Sequence, residues 1–511
     1  MKRNFIWWTL VIASLANFII IVDAFFLTVA ITTLVRELHT TVQAIQATLA
    51  VYSLAIACLL LLGAKLQDIV GRKRTFLYGT FVYGIGTVIA ALSLNAPMLF
   101  IGWSLLEGIG AALMLPASAA LISSTYEGKE RAFAFGLWAA IGGIAAAVGP
   151  LLGGVLATFW SWRVGFGLEA VIVVLIFALS RRLSEAPPTI TWRDLDVVGV
   201  ALSAAGFFLV VAGTLTLNDL GAWNRVLVLI GTGALLLVVF ALWQRRRIHH
   251  HKVPLTDIRL FRASAYSAGN VANLFLRLSL AGIVFIIPIF LQAVTGVSSF
   301  MTGVAFIPLM VALLVTSFLS GPLSARLAPR FLVPLGILIA LSGSLLLRGV
   351  FSLNTQIFDI FPGTILIGAG LGLALGPLVN LILSSAPDEK QADASGVLNT
   401  STNLGESLGT AVIGVLLIVS IYSALGPAVV KVYPNQVTAQ DVKANLPRWV
   451  DTLKTTDLQV VKAEQNATTQ VVNQTMSTAM QHAVDGISLF LFGGFVASLF
   501  IGRRPHVAGQ R

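Results

Sequence analysis

The sequence predicts an all-α integral membrane protein of fourteen transmembrane helices, two six-helix bundles plus two extra helices, with both termini cytoplasmic. Three observations carry this. Of 511 residues, 57% are hydrophobic and only 11% charged, with mean hydropathy +0.89, whereas soluble domains carry about 25% charged residues. Apolar runs long enough to cross a bilayer recur along the whole chain. The basic residues between those runs fall mostly on one side when the runs are threaded back and forth.

The apolar runs lie near 5–31, 44–62, 75–94, 98–122, 132–157, 163–179, 197–217, 224–243, 266–291, 301–320, 331–350, 358–384, 395–422 and 484–502. The first is too long for a signal-peptide core and has no small-residue cleavage site after a short apolar stretch, so it reads as a retained helix. With Lys2 and Arg3 in the cytoplasm, the same side collects Arg72, Lys73, Arg74, Lys129, Arg131, Arg181, Arg182, Arg245, Arg246, Arg247, Arg326, Arg330, Lys390, Arg503 and Arg504. The net charge of +11 therefore orients the protein in a cell membrane, most simply a bacterial inner membrane, and is not a nucleic-acid footprint.

Three connections stand out. The stretches 180–196 and 244–265 are expected to be cytoplasmic linkers bracketing two inserted spans, 197–217 and 224–243. His249, His250 and His251 read as a solvated part of the second linker. The segment 423–483 is expected to be a polar outer loop with amphipathic helix around 440–482, broken at Pro434 and Pro447; the sequons at Asn466 and Asn473 are read as chance. The expected organisation is residues 1–180 as one bundle, 181–251 as linkers and inserted helices, and 252–511 as the second bundle. A weak internal echo supports two like halves. Leu66, Asp68, Gly71, Arg72 and Lys73 follow the second span, and a degraded version, 321–330, follows the tenth. Two like halves around a midplane site is how many secondary transporters are built.

The stretch 142–154, GGIAAAVGPLLGG, crowds small residues around Pro150. Small residues let helices approach closely in lipid, and the proline removes a backbone donor and bends its helix. A kinked helix pressed on a neighbour is expected.

No P-loop is present, and the Gly368, Gly370, Gly372, Gly376 run follows no strand, so it reads as a helix-packing stripe. The single cysteine, Cys58, excludes a disulfide framework and a Cys metal site. No His/Cys/Glu cluster has metal-ligand spacing. No cofactor, no metal and no enzymatic activity are expected.

Ionisable residues inside spans cost about 2.5–3.5 kcal/mol each on insertion scales, which makes each a functional candidate. They are Asp23, Glu107, Glu169, Arg277 and Glu406. Asn399, Asn403, Glu406 and Thr410 are spaced 4, 3 and 4 apart, one helical face. Such a stripe must face the bundle or a water cavity. Desolvation there favours the neutral, proton-carrying Glu406, which can release its proton when a cation arrives. Arg277 shares a face with Asn270 and Asn273 and needs a carboxylate or an anionic substrate; Glu107, Glu406 and Asp23 are the candidate partners.

Several motifs resemble those of the major facilitator superfamily, and within it the fourteen-span drug:proton antiporter family of multidrug exporters. The loop KLQDIVGRKR is similar to the superfamily's G-x-L-x-D-R-x-G-R-K, with Ala64 and Ile69 as departures. Gly149, Pro150, Gly153 and Gly154 resemble the antiporter signature G-P-x-x-G-G. The stretches GLGLALGPLVNLILSSAP and ASGVLNTSTNLGESLGTAV look like the twelfth and thirteenth spans of such exporters. Ser104 and Glu107 stand where the family's fourth-span motif carries Arg and Gln. In the first-span motif Asp23, Val29 and Ala30 fit, while Phe25, Thr28 and Thr32 depart. After the fifth span Glu169 replaces an Asn.

The resemblance implies the major facilitator fold and proton-coupled export of amphiphilic or cationic drugs by rocking of the two bundles. The intramembrane carboxylates themselves point to proton and substrate coupling through Glu406, Glu107, Asp23 and Glu169. The resemblance also implies a cytoplasmic gate at Asp68, Gly71, Arg72 and Lys73. Arg277, Asn270, Asn273, Asn399 and Asn403 are expected around the substrate cavity. The expected partners are a small amphiphilic substrate, protons and the bilayer, with the chain a monomer and no nucleic acid bound. An exporter of an anionic or lipid-like metabolite, read by Arg277, and a membrane protein without transport are the alternatives.

Overall fold

The computed structural model describes residues 2–126, 128–183, 185, 191–218, 223–352, 354–387, 390–432 and 467–501. Long helices follow one another in antiparallel order. The first bundle holds α1 (Lys2–Phe26), which passes through a buried 3-10 turn, Leu27–Ala30, into α2 (Ile31–Glu37). It continues with α3 (Val42–Val70), α4 (Arg72–Ala91), α5 (Ala96–Leu99), α6 (Gly108–Thr125), α7 (Gly128–Phe159) and α8 (Arg163–Leu179). A π-helical stretch, Phe100–Glu107, joins α5 to α6. The inserted pair is α9 (Val197–Leu215) and α10 (Trp223–His249). The second bundle holds α11 (Ser264–Ile289), α12 (Ser299–Arg326), α13 (Pro329–Arg348), α14 (Phe361–Ser384), α15 (Gln391–Val432) and α16 (Ala467–Ser498).

Among the described residues, thirteen stretches are long and apolar enough to cross a membrane. The expected third span, near 75–94, corresponds to α4, which is outside that set. Its 20 residues open on Arg72, Lys73 and Arg74 and include few strongly apolar side chains, so the helix forms but its charged first turn lowers its hydropathy. One bound differs from expectation more widely: α15 runs to Val432, so the start of the expected outer loop 423–483 is helical, because Leu425, Ala428 and Val429 are buried and carry the helix past Pro427. α16 begins at Ala467, inside the stretch where amphipathic helix is expected, and runs on into the last span. Pro434, Pro447 and Asn466 lie outside the described residues.

Each bundle is packed within itself. α1 lies on α7 and α6, and α4 lies on α6 and α8; in the other bundle α14 packs between α12 and α13, and α11 packs against α15 and α16. The bundles meet along two seams, α3 with α15 and α7 with α12. At the second seam the backbones nearly touch: a Cβ on Gly303 would sit 2.6 Å from the Pro150 carbonyl oxygen, and one on Gly154 would sit 2.5 Å from that of Ser299. Gly153 faces α1, where a Cβ would overlap the Phe26 carbonyl. The GPLLGG stretch thus binds α7 to α1 on one face and to α12 on another, as small-residue interfaces do in lipid.

α9 and α10 pair with each other, and α9 lies against both α3 and α15, covering the first seam. Asp196 ties this pair to the linkers. Its buried carboxylate accepts from Gly199 N (3.0 Å), Trp243 Nε1 (2.8 Å) and Gln244 Nε2 (2.7 Å). Asp257, in the following linker, pairs with Arg259 and with Lys390 at the start of the second bundle's last helices. Burial opposes its charge, but hydrogen bonds from Arg259 and Lys390 prevail and hold the carboxyl below the ordinary carboxylate range.

Candidate functional site at the bundle interface

Between the bundles lies a cavity of about 40 Å³, room for a few water molecules. Its walls come from α1, α3, the π-helical stretch, α11 and α15. Phe25, Tyr52, Trp103 and Phe285 give it aromatic surfaces, and Thr28, Glu406 and Thr410 give it polar ones. Glu406 accepts from Arg277 Nη1 at 3.2 Å, and both side chains are about a quarter exposed, at 22% and 24%. Among the candidate partners for Arg277, the fold selects Glu406, because α11 and α15 lie side by side and Gly405 allows the approach, a Cβ there meeting that of Arg277 at 2.8 Å.

Behind the Tyr52 and Trp103 wall, three acids converge. Carboxylate oxygens of Asp23, Glu107 and Glu169 all lie within 4.8 Å of one another, and the residues are 0%, 0% and 4% exposed. They come from α1, the π-helical stretch and α8, separated by 84 and 62 positions in the chain (107 − 23 and 169 − 107). No sequence spacing could reveal this group, and the reading that no metal-competent cluster exists fails as a statement about space. Trp103 Nε1 donates to Asp23 Oδ2 at 2.6 Å. The other Asp23 oxygen, both Glu107 oxygens and one Glu169 oxygen have no hydrogen-bond partner, nor does the buried Tyr83 hydroxyl. Three uncompensated charges in a dry pocket are prohibitively costly. The group must carry protons or a cation, and its all-oxygen donors suit either.

Glu107 owes its position to the π-helical stretch, a feature frequent at functional sites, and to Gly86, where a Cβ would stand 2.8 Å from Glu107 Cγ. Ser104, at the place of the family's arginine, donates to the Thr48 carbonyl at 2.7 Å and is fully buried.

The remaining candidates lie elsewhere. Asn273 donates to Thr402 Oγ1 (3.0 Å), while Asn270 bonds its own helix at Tyr266 O (2.9 Å). Asn399 and Asn403 bond within α15, to Ser395 Oγ (3.3 Å) and to the Asn399 carbonyl (2.9 Å). None of the four lines the cavity. At the arginine-rich end, Gly71 adopts φ 104°, which only glycine takes without strain, and turns α3 into α4. Arg72 donates to Ala120 O (3.4 Å) within the first bundle, and Lys73 to Leu183 O (2.9 Å) where the first linker begins. The bond that crosses the bundles there is Lys65 to Asp393, at 3.1 Å. Lys65 opens the KLQDIVGRKR loop and Asp393 sits in the first turn of α15, so both were within sight of motifs already quoted. At the opposite end, Thr32 pairs with Gln292, whose amide also donates to the Val29 carbonyl. Contacts therefore close the bundles on each other at both ends of the cavity.

The family model of the Major Facilitator Superfamily matches residues 13–197 and 195–410. The multidrug resistance protein Stp of Mycobacterium tuberculosis is 28% identical over 432 residues, covering 84% of this chain and 79% of that protein. The methyl viologen resistance protein SmvA of Salmonella typhimurium is 32% identical over 421 residues, covering 80% and 82%. A crystal structure of a bacterial homologue of the human lysosomal transporter Spinster, inward-facing and unoccupied, superposes with TM-score 0.66 at 17% identity over 98% of both chains. A bacterial homologue of the drug peptide transporters PepT1 and PepT2 gives TM-score 0.60 at 13% identity. Long helices packed in two bundles with an inserted pair, a cavity where the bundles meet and these matches lead to one conclusion: the chain is a multi-pass membrane protein that belongs to the Major Facilitator Superfamily, with multidrug resistance proteins of that family among its relatives.

Proposed function

We propose that this protein exports amphiphilic or cationic compounds in exchange for protons, acting as a monomer by alternating access. The observation that carries the reading is the cavity itself. It lies between the bundles, has aromatic walls, and is bordered by one carboxylate, Glu406, with three more behind an aromatic pair. Aromatic faces attract organic cations, and buried carboxylates exchange a proton for such a charge. At about 40 Å³ the cavity is far smaller than a drug site of about 300 Å³ or more. Loading therefore requires the bundles to part at one end while the other stays closed. Lys65–Asp393 and Thr32–Gln292 are the contacts that must break in turn, with Asp68, Arg72 and Lys73 organising the first of these ends, proposed to be cytoplasmic.

Glu406 is assigned as the proton carrier nearest substrate, and Arg277 as the charge that holds it between turnovers. A second reading, export of an anion, draws on Arg277, since protonation of Glu406 would leave the guanidinium free to receive one. The test uses everted vesicles with an acid-inside pH gradient. Cationic dyes are expected to discharge the gradient with wild type and not with Glu406→Gln. Discharge by anionic amphiphiles alone, abolished in Arg277→Ala, would select the second reading. No discharge by either class would overturn proton coupling.

A further inference from the structure

Trp103 belongs to no motif used above, yet it lines the cavity and donates a hydrogen bond to the carboxylate group. We propose that Trp103 is a positioning residue that passes substrate occupancy of the cavity to the Asp23, Glu107 and Glu169 cluster. This rests on the export reading above.

The geometry is a two-sided wall. Tyr52 and Trp103 stack with ring centroids 4.9 Å apart and planes 9° from parallel. Trp103 is 1% exposed, so its indole has little freedom while the stack is intact. Its N–H is spent on Asp23 at 2.6 Å, on the side away from the cavity. The charged and titratable groups around that carboxylate are Glu107 from the π-helical stretch, Glu169 from α8, Tyr52 from α3 and Tyr83 from α4. Glu406, paired with Arg277, also lines the cavity. The π-helical stretch carries Trp103 and Glu107 together, so a shift of the indole also moves a second member of the cluster.

An N–H donates more strongly to an ionised carboxylate than to a neutral one. A flat cation lying on the aromatic wall would hold the indole in place through cation–π attraction. Holding the indole favours the ionised form of Asp23, so substrate arrival and proton departure support each other. By linkage the reverse holds equally: reprotonation loosens the indole and weakens the substrate's platform. That is the sign an exchanger requires. No direct contact between substrate and Asp23 is needed, and the wall keeps the two apart.

The experiment measures ethidium affinity of the full-length protein in lipid nanodiscs between about pH 6 and 8. Displacement of one proton from Glu406 and one from the cluster makes affinity rise by up to about a hundredfold per pH unit in wild type. Trp103→Phe keeps an aromatic wall and loses only the donor. Its affinity at the alkaline end is expected within about threefold of wild type, with the pH slope reduced to about tenfold per unit, the share that Glu406 still carries. Trp103→benzothienylalanine, which replaces the N–H by sulfur with the ring shape unchanged, is expected to flatten the slope in the same way and guards against a packing defect in the Phe variant. A wild-type slope retained in the benzothienylalanine protein overturns the relay while leaving the export reading intact. A flat wild-type profile overturns proton coupling itself, and the relay with it.

Discussion

Removal of the Glu406 carboxylate should harm the protein less when Arg277 is removed with it. The two groups are 3.2 Å apart. At an effective dielectric of about 20, Coulomb attraction at that distance is about 5 kcal/mol. Both side chains are about a quarter exposed, so water screens part of this, and a realised coupling of about 2–3 kcal/mol is expected. In Glu406→Gln the guanidinium stays in place, and its Nε already has no partner. In the double variant Arg277→Gln with Glu406→Gln, no charge is left unmatched, so the pair should be more stable than the sum of the single losses predicts. Reversible unfolding in mixed detergent and SDS micelles, followed by tryptophan fluorescence, measures all four corners of the cycle. Losses that add to within about 0.5 kcal/mol would refute the pairing as an energetic feature.

Three further outcomes follow from other contacts. Gly153→Leu should lower thermal stability by more than about 2 kcal/mol, because its side chain meets the Phe26 carbonyl, while Gly167→Ala, with nothing within 4 Å, should stay within about 0.5 kcal/mol; equal effects in melting experiments would contradict the packing described. Lys65→Ala, which removes the 3.1 Å bond to Asp393, should increase labelling of a cysteine placed at Ser53 by an impermeant maleimide added from the arginine-rich side, in a Cys58→Ser background; unchanged labelling would show that this ion pair does not hold that end shut. Asp257 has its folded-state carboxyl held below the ordinary range by Arg259 and Lys390, so its contribution is present above about pH 4 and is lost as pH falls below it. The melting-temperature gap between wild type and Asp257→Asn should therefore shrink on acidification from neutral pH, and a constant gap would argue that the contact is not charge-dependent.

The helices were legible because membrane insertion is a nearly local property. A run such as 266–291 must hydrogen-bond its own backbone in lipid, so α11 appears within a few residues of where hydropathy puts it. The third span was found by pattern although its basic first turn lowers its hydropathy. The end of α15 was not legible: the helix continues past Pro427 to Val432 because burial of Leu425, Ala428 and Val429 in the tertiary fold outweighs the proline. The stripe of Asn399, Asn403, Glu406 and Thr410 was read as one functional face, yet of these Glu406 and Thr410 line the cavity and the two Asn do not, since an Asn can satisfy itself against its own helix and leave no external trace.

The sequence by itself determined the class, the family, most spans and the charges that lie deep in them, because each follows from composition or from residues close together in the chain. It did not determine which charges meet. Asp23, Glu107 and Glu169 looked like separate acids, one to a helix, and tertiary packing makes them a single group. Arg277 had three candidate partners, and the adjacency of α11 and α15 chose Glu406. Trp103 carried no signal in its neighbours, and its importance lies in touching a cavity on one side and a carboxylate on the other. The physical reason is common to all three: a buried charge is governed by what surrounds it in space within a few ångströms, and in a bundle of long helices those neighbours come from distant parts of the chain.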